Sequence, residues 1–211
     1  ARFKSSPNQT PRFSQKGKPA QSIKVILELK LIAFAGLVGL PNAGKSTLIS
    51  KISGAKPKIA DYPFTTLTPH LGVVYHGYDS LVVADIPGII AGAHQGEGMG
   101  LSFLKHIERN KVLIFLLDVS GYTEINPLET LRILQNELKS YKANLLRKKY
   151  LVVANKIDLL EEDNGGSGRK NLELLKEYCA GEEIPCLEIS AIKGVNLDGL
   201  KNKLFEFYHE D

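Results

Sequence analysis

GLPNAGKS, residues 39–46, guides the interpretation of the whole chain, because it matches the pattern G-x-x-x-x-G-K-[ST] in full. It follows a continuously apolar run at 31–39, typical of a strand covered on both faces, and it precedes a helical pattern at 45–53. A glycine-rich turn in that position lets successive backbone N–H groups and a helix N-terminus bind one anion. The context therefore favours a phosphate-binding loop over a chance glycine turn.

Strand patterns and helical patterns alternate along the rest of the chain. Further strands are predicted at 71–75, 81–85, 112–119, 150–154 and 186–190. Helices are predicted at 45–53, 101–109, 127–146, 170–179 and 197–208, and a surface loop at 161–169. This alternation implies a mostly parallel sheet with crossover helices on both faces. The result is a three-layer α/β fold that binds ligands at the carboxyl ends of its strands.

The composition is that of an ordinary globular protein, since 43% of the 211 residues are hydrophobic and 24% are charged. Collagen-like, coiled-coil and wholly disordered chains are excluded. The longest apolar run, 31–41, is about half of the ~20 residues that a membrane-spanning helix needs, so we expect no membrane span. No secretory signal is evident. Cys179 and Cys186 do not make a disulfide framework, and we expect two buried thiols in a reducing cytoplasm.

Positive charge is concentrated at the beginning of the chain. Residues 1–32 hold seven Lys or Arg and one acidic residue, Glu28, although the whole chain carries only +4. We predict a basic linker at 1–32 and a single domain at 33–211. A cationic segment suits contact with a polyanion such as RNA, because counterion release drives that binding. A solvated linker with no partner is an equally weighted alternative.

NKID, residues 155–158, follows a predicted strand and supplies what a phosphate loop lacks, namely recognition of a base. An Asp carboxylate accepts two hydrogen bonds from the ring N–H and the amine of guanine, whereas adenine has no such donor pair. We therefore expect Asp158 to select guanine, Asn155 to tie this loop to the phosphate loop, and the stem of Lys156 to cover the ring. The backbone N–H groups predicted to reach the guanine keto oxygen belong to Ser190, Ala191 and Ile192.

Two further segments complete the predicted site. They are DIPG, residues 85–88, and the threonine pair 65–66 between the first helix and the second strand. We expect Lys45 to contact the β- and γ-phosphates, and the Gly88 N–H to sense the γ-phosphate. The predicted Mg²⁺ ligands are Ser46, Thr66 and Asp85. Thr65 is the second choice for the threonine ligand, and a role for either threonine as a β-former at a strand entrance stays open. The predicted catalytic residues are Lys45, Thr66 and Gly88.

The full set of residues predicted to contact nucleotide is drawn from five segments of the chain. It comprises Gly39, Leu40, Pro41, Asn42, Ala43, Gly44, Lys45, Ser46, Thr47, Phe64, Thr65, Thr66, Asp85, Ile86, Pro87, Gly88, Asn155, Lys156, Asp158, Ser190, Ala191 and Ile192. Residues 88–100, GIIAGAHQGEGMG, carry five glycines, so ordering that backbone without a ligand is costly. We expect a mobile switch there, with a rigid glycine-rich turn as the alternative.

The chain resembles the Obg family of translation-factor-class GTPases. The resemblance rests on GLPNAGKST at 39–47, AKPKIADYPFTTL at 55–67, DIPGIIAGAHQGEGMG at 85–100, FLKHIER at 103–109 and NKID at 155–158. It implies the Ras-like G-domain form of the P-loop NTPase fold, with residues 1–32 similar to the end of the family's N-terminal domain. It also implies Mg²⁺-dependent GTP hydrolysis with slow turnover, binding to the large ribosomal subunit and its RNA, and a link to growth and stress control. We expect the isolated domain to be monomeric.

Hydrolysis should be slow, because Ile89 occupies the position where Ras-type enzymes place a Gln that orients water. His94, Gln95 and Arg109 are candidates to supply a substitute, but the preferred interpretation is a surface or partner contact for His94 and Gln95 and a surface or ion-paired residue for Arg109. Asn42 suggests a K⁺ ion beside the β- and γ-phosphates, with a simple turn residue as the alternative. Two other functions stay open: a nucleotide-regulated RNA-binding scaffold, and an ATP-using P-loop kinase, which the guanine argument disfavours.

Overall fold

The computed structural model describes residues 9–10, 17–24, 33–54, 58–59, 70–85, 110–160 and 166–210. Within these ranges the strands are β1 (Ala35–Val38), β2 (Lys58–Ile59), β3 (His70–His76), β4 (Asp79–Asp85), β5 (Val112–Asp118), β6 (Lys149–Asn155) and β7 (Cys186–Ile189). The helices are α1 (Lys45–Ile52), α2 (Pro127–Tyr141), α3 (Ser167–Gly181) and α4 (Leu197–His209), with short 3₁₀ helices at Ala143–Arg147 and Ile157–Leu159.

The described strands form one seven-stranded sheet in the order β2-β3-β4-β1-β5-β6-β7. From β4 to β7 all neighbouring strands are parallel, which confirms the mostly parallel sheet. At the other end β3 pairs antiparallel with both β2 and β4. Only Gly77 and Tyr78 separate β3 from β4, and a connection that short can join only antiparallel strands. This agrees with the sequence analysis, which predicted a mostly parallel sheet and no helix between the strands at 71–75 and 81–85.

Two hydrophobic clusters, one on each face of the sheet, confirm the three layers. Alternate residues of β5 point to opposite faces: Ile114 and Leu116 pack with α1 and α4, whereas Leu113 and Phe115 pack with α2 and α3. Burial on both faces explains why the central strands are continuously apolar.

The helix predicted at 127–146, α2, ends earlier than expected, at Tyr141. It begins where Asn126 accepts a hydrogen bond from the Glu129 N–H and Pro127 occupies the first turn. Lys142 is extended, and the chain then forms the 3₁₀ helix that leads directly into β6. Leu145 is buried from that 3₁₀ turn, so an apolar residue at helical spacing does not require the helix itself to continue.

The third described helix begins earlier than expected, at Ser167, so the predicted loop at 161–169 overlaps its first turn. Gly166 precedes it with a left-handed φ of 66°, a conformation that glycine adopts without strain. A Cβ on Gly168 would lie 2.9 Å from both the Val119 and Ser120 carbonyl oxygens. Gly168 therefore serves close packing of the helix against the end of β5, which a glycine-rich sequence does not distinguish from a loop.

The two cysteines are free, and their thiols are hydrogen-bonded to each other across α3 and β7. Cys179 is buried as expected, whereas Cys186 is partly exposed. The shared hydrogen bond raises the pKa of Cys179 and lowers the pKa of Cys186. No helix in the described part of the chain has both the length and the apolar character needed to cross a membrane.

Candidate functional site

A cavity of about 650 Å³ opens at the carboxyl ends of the parallel strands, where the fold was expected to bind ligands. Its walls come from the phosphate loop, the end of β4 and the loops after β6 and β7. The lining residues are Pro41, Asn42, Gly44, Lys45, Ser46, Thr47, Asp85, Asn155, Lys156, Asp158, Leu159, Ala191 and Ile192. Lys45 and Asp158, far apart in the sequence, therefore face one space.

Most predicted site residues in the described ranges line this cavity, and the exceptions are Gly39, Leu40, Ala43 and Ser190. Ala43 and Ser190 are buried behind the wall. Leu40 and Ala43 line a neighbouring cavity of about 430 Å³ on the other side of the phosphate loop. Leu159 was not predicted, because an apolar residue after the Asp of NKID carries no chemical signal of its own.

Both glycines of the phosphate loop are required by close contacts. A Cβ on Gly39 would lie 2.5 Å from the Leu116 carbonyl oxygen, and one on Gly44 would lie 2.4 Å from Asn155 Nδ2. Gly44 also has a φ of 99°, in the left-handed region. Because α1 starts at Lys45, the unpaired N–H groups of its first turn lie beside the cavity, where an anion can accept their hydrogen bonds.

Lys45 folds back over the phosphate loop. Its Nζ donates to the carbonyl oxygens of Gly39, at 2.9 Å, and Leu40, at 3.0 Å. Burial lowers the pKa of Lys45, and the nearby Asp85 carboxylate opposes that shift. The ammonium group is thus held at the loop by two neutral carbonyl acceptors. A negatively charged phosphate oxygen can take their place.

Ser46 and Asp85, two of the three predicted metal ligands, are already in contact. Ser46 Oγ donates to Asp85 Oδ2 at 3.0 Å, and only 5% of Asp85 is exposed. Its other oxygen, Oδ1, is buried without a hydrogen-bond partner among the described residues. In the same part of the chain, no cluster of three or more His, Cys, Asp or Glu could hold a metal. One hydroxyl and one carboxylate fit Mg²⁺, which takes few protein oxygens and completes its shell with phosphate and water.

Asn155 links three segments of the site. Its Nδ2 donates to the Ala43 carbonyl oxygen at 2.7 Å, and its Oδ1 accepts from the Ala191 N–H at 3.0 Å. Only 2% of Asn155 is exposed, so both hydrogen bonds are shielded from water. The loop after β6 is thereby fixed to the phosphate loop on one side and to the loop after β7 on the other.

Lys156 is held by Asp118, a residue that the sequence analysis missed. Lys156 adopts a left-handed backbone with φ 71°, and its Nζ lies 2.5 Å from Asp118 Oδ2. Asp118 is the last residue of β5 and pairs in register with Asn155. A single acid ending an otherwise apolar strand was the available signal. Asp158 Oδ1 is buried without a partner among the described residues, so it can accept from a ligand.

The backbone donors after β7 are less available than expected. The Ser190 N–H donates to the Val195 carbonyl oxygen at 3.2 Å, and the Ala191 N–H is taken by Asn155. Contact with a guanine keto oxygen therefore falls to Ile192 unless Ala191 exchanges partners. Asn42 has a φ of 63°, a turn conformation that Asn tolerates well, and this geometry is compatible with both interpretations of Asn42.

Several predicted residues lie outside the described ranges. They are Phe64, Thr65, Thr66, Ile86, Pro87, Gly88, Ile89, His94, Gln95 and Arg109, together with the segments 61–67 and 88–100 and the predicted helix at 101–109.

The fold and the assembled cavity together define a P-loop GTPase domain. A family model described as "50S ribosome-binding GTPase" matches residues 34–156. The chain is 51% identical over 98% of its length to GTPase Obg of Thermodesulfovibrio yellowstonii, and 47% identical over its full length to GTPase Obg of Persephonella marina. The chain belongs to the Obg family of GTPases. It spans 60% of the length of each of these two relatives.

Solved structures support the fold. The G domain of the T. maritima FeoB iron transporter matches with a TM-score of 0.61 and 21% identity, covering 82% of this chain and 97% of that one. Era bound to MgGDPNP and nucleotides 1506–1542 of 16S ribosomal RNA matches with a TM-score of 0.57 and 28% identity, covering 82% of this chain and 56% of that one. The FeoB likeness concerns the fold alone.

Proposed function

We propose that the chain is a Mg²⁺-dependent switch that binds and hydrolyses GTP. The observation that carries the proposal is that Lys45 and Asp158 line one cavity. Asn155 holds that cavity together through its hydrogen bonds to the phosphate loop and to the loop after β7. A nucleoside triphosphate has its charge at one end and its base at the other, so a pocket of this kind can test both at once.

Guanine is the base that satisfies this pocket. Asp158 presents a buried oxygen with no partner in the described ranges, and the ring N–H and amine of guanine are donors for its carboxylate. Adenine would leave that charge unpaired, which costs about 1–3 kcal/mol or more. Charge pairing with Asp118 holds the Lys156 side chain beside the same cavity, as a wall for the ring.

Mg²⁺ would be held by Ser46 and Asp85, with Thr66 as the third protein ligand. When bound, the ion neutralises charge on the β- and γ-phosphates. Lys45 supplies the second cation at that end of the cavity, after exchanging its two carbonyl acceptors for phosphate oxygens. The relative Era, crystallised with MgGDPNP, supports this choice of ion and ligand.

Turnover is proposed to be slow because Ile89 cannot orient water. His94 or Gln95 would serve only if brought to the γ-phosphate, and Arg109 or a partner's arginine would add positive charge there; an external arginine contributes roughly 10³–10⁵ in rate. K⁺ bound near Asn42 is the alternative source of charge. Turnover in K⁺ should then exceed turnover in Na⁺ at equal ionic strength, and identical rates would remove the idea.

The proposed partner is the large ribosomal subunit, contacted in the cytoplasm when GTP orders 61–67 and 88–100. The family model's description as a 50S ribosome-binding GTPase supports the subunit, and the Era complex with ribosomal RNA supports RNA contact by a similar domain. We also propose that the protein takes part in growth and stress control and that the isolated domain is a monomer.

Phosphate release from GTP and ATP, with Mg²⁺ or excess EDTA, tests the enzymatic proposal. We expect release from GTP only, and only with Mg²⁺. Ser46→Ala should remove it, because the hydroxyl beside Asp85 is lost. Ser50→Ala is the matched control, since Ser50 lies one turn further along α1 and bonds the Thr47 carbonyl. Equal rates with ATP, or equal loss in both serine variants, would contradict the proposal.

A further inference from the structure

The end of the sheet opposite the nucleotide cavity carries a concentration of positive charge. Residues 139–149, KSYKANLLRKK, contain five Lys or Arg and no Asp or Glu. This segment begins in the last turn of α2 and continues through the 3₁₀ helix into the first residue of β6. It lies where the parallel strands start, whereas the cavity lies where they end.

The strand register brings a further lysine to the same place. Val112 at the start of β5 pairs with Lys149 at the start of β6, so Lys111 lies beside this segment. The Lys148 ammonium group donates to the Asn110 carbonyl, which fixes the two strand entrances together. Lys149 pairs with Glu210 at 2.9 Å. These two lysines are engaged within the protein.

Four more cations at this end have exposed side chains: Lys111, Lys139, Lys142 and Arg147. We call them the basic edge. Of these, Lys111 and Lys142 also interact with other groups of the protein. The acidic Glu210 is already paired with Lys149. Glu182 and Glu183, in the turn before β7, border the edge on its far side. The exposed charge of the basic edge itself is therefore of one sign.

The residues just before β1 lie at the same end of the sheet. The Phe34 carbonyl accepts hydrogen bonds from the N–H groups of Lys111, at 2.9 Å, and Val112, at 3.0 Å. Phe34 therefore lies at the same end of the sheet as the basic edge.

We propose that the basic edge binds the phosphate backbone of double-helical RNA, without reading its sequence. The proposal rests on the ribosomal partner proposed above and names where that RNA would touch this domain. Several cations of one sign, spread over a strand entrance and a helix end, match a repeating array of phosphates better than a single small anion. RNA bound there would lie about 20 Å from the nucleotide cavity, the length of β6 at 3.3 Å per residue. The RNA affinity should therefore be similar with GDP and GTP.

Fluorescence anisotropy of a labelled RNA duplex of about 20 base pairs, titrated with the full chain at about 50–200 mM KCl, tests the proposal. K139Q/R147Q should weaken binding about tenfold and reduce the slope of log affinity against log salt by about 1–2. The matched control is R169Q/K170Q, which also removes one Arg and one Lys. Both control residues are exposed in the first turn of α3, at the carboxyl end of the strands. The control should change RNA affinity less than about twofold.

Equal weakening by the two double variants would overturn the proposal, as would absence of RNA binding by the parent chain. Tighter binding to phosphatidylserine vesicles than to RNA would also overturn it, because the surface would then be a membrane contact. Single variants K139Q and R147Q, each expected to cost about threefold, serve if the double variant unfolds. GDP affinity is measured on the same samples. A parent chain that binds RNA through the basic edge but no GDP contradicts the proposed GTPase alone.

Discussion

Replacing Asn155 by Ala should uncouple the base-recognition loop from the phosphate loop. The side chain joins the Ala43 carbonyl oxygen and the Ala191 N–H through hydrogen bonds of 2.7 and 3.0 Å, and it is almost fully buried. Without it, both backbone groups lose their partner and the three loops around the cavity lose their shared contact. The substitution therefore tests whether the site is preorganised by this one amide.

The expected magnitude follows from those two bonds. A buried polar group left unpaired costs about 1–3 kcal/mol, and water entering from the cavity offsets part of that. We expect the free energy of unfolding to fall by about 2–4 kcal/mol. If the loss of loop alignment weakens GDP binding by about 2 kcal/mol, affinity falls roughly 30-fold.

Urea unfolding of the ligand-free chain and fluorescence titration with a labelled GDP measure the two effects separately. Asn110→Ala is the matched control, because Asn110 is equally buried at the opposite end of the sheet and its amide has no hydrogen-bond partner among the described residues. It should leave GDP affinity unchanged. Equal losses in the two variants, or full GDP affinity in Asn155→Ala, would refute the reasoning.

Three further predictions concern Gly44, Lys45 and the cysteine pair. Gly44→Ala should lower the free energy of unfolding and reduce GDP affinity at least about tenfold, because the new Cβ would meet Asn155. The control is Gly77→Ala, at φ 60° with open space around it, which should lower the free energy of unfolding by about 1 kcal/mol and leave GDP binding intact. Burial holds the pKa of Lys45 below 10.5, and a bound triphosphate would raise that pKa. GTP binding should therefore take up protons, and the GTP affinity should fall as the pH rises through the Lys45 pKa of the free protein. Calorimetry in buffers of different ionisation heat measures the proton uptake, and pH-independent binding would contradict the prediction. Iodoacetamide should modify Cys186 before Cys179, and Cys179→Ala should slow the modification of Cys186 by removing the hydrogen bond that lowers the Cys186 pKa. Peptide mass spectrometry gives the order of labelling, and faster labelling of Cys179 would contradict the prediction.

The main features of the cavity were predictable because they depend on local patterns with fixed placement. Apolar runs covered on both faces predict parallel strands, and the residues following such strands meet at one edge of the sheet. That rule predicts from the sequence alone that Asp85 and Asn155 lie beside the phosphate loop. The two-layered burial of β5 follows from the same alternation.

Other features depend on contacts between distant segments and left weaker signals. Asp118 matters because it pairs with Lys156, whose left-handed backbone is not evident from NKID. The early start of α3 depends on Gly168 packing against the end of β5. The commitment of the Ala191 N–H to Asn155 is likewise a tertiary contact, so residues 190–192 alone suggested three available donors.

Nucleotide binding by Asp158→Asn tests most directly whether one pocket checks both the phosphates and the base. The parent chain should bind GDP at least about 100-fold more tightly than ADP. Guanine donates two hydrogen bonds to the Asp158 carboxylate that adenine lacks, and each contributes about 1.5–3 kcal/mol. The variant should lose that preference and gain affinity for xanthosine diphosphate, whose carbonyl replaces the guanine amine and can accept from the new amide. Unchanged GDP selectivity in Asp158→Asn would contradict the account.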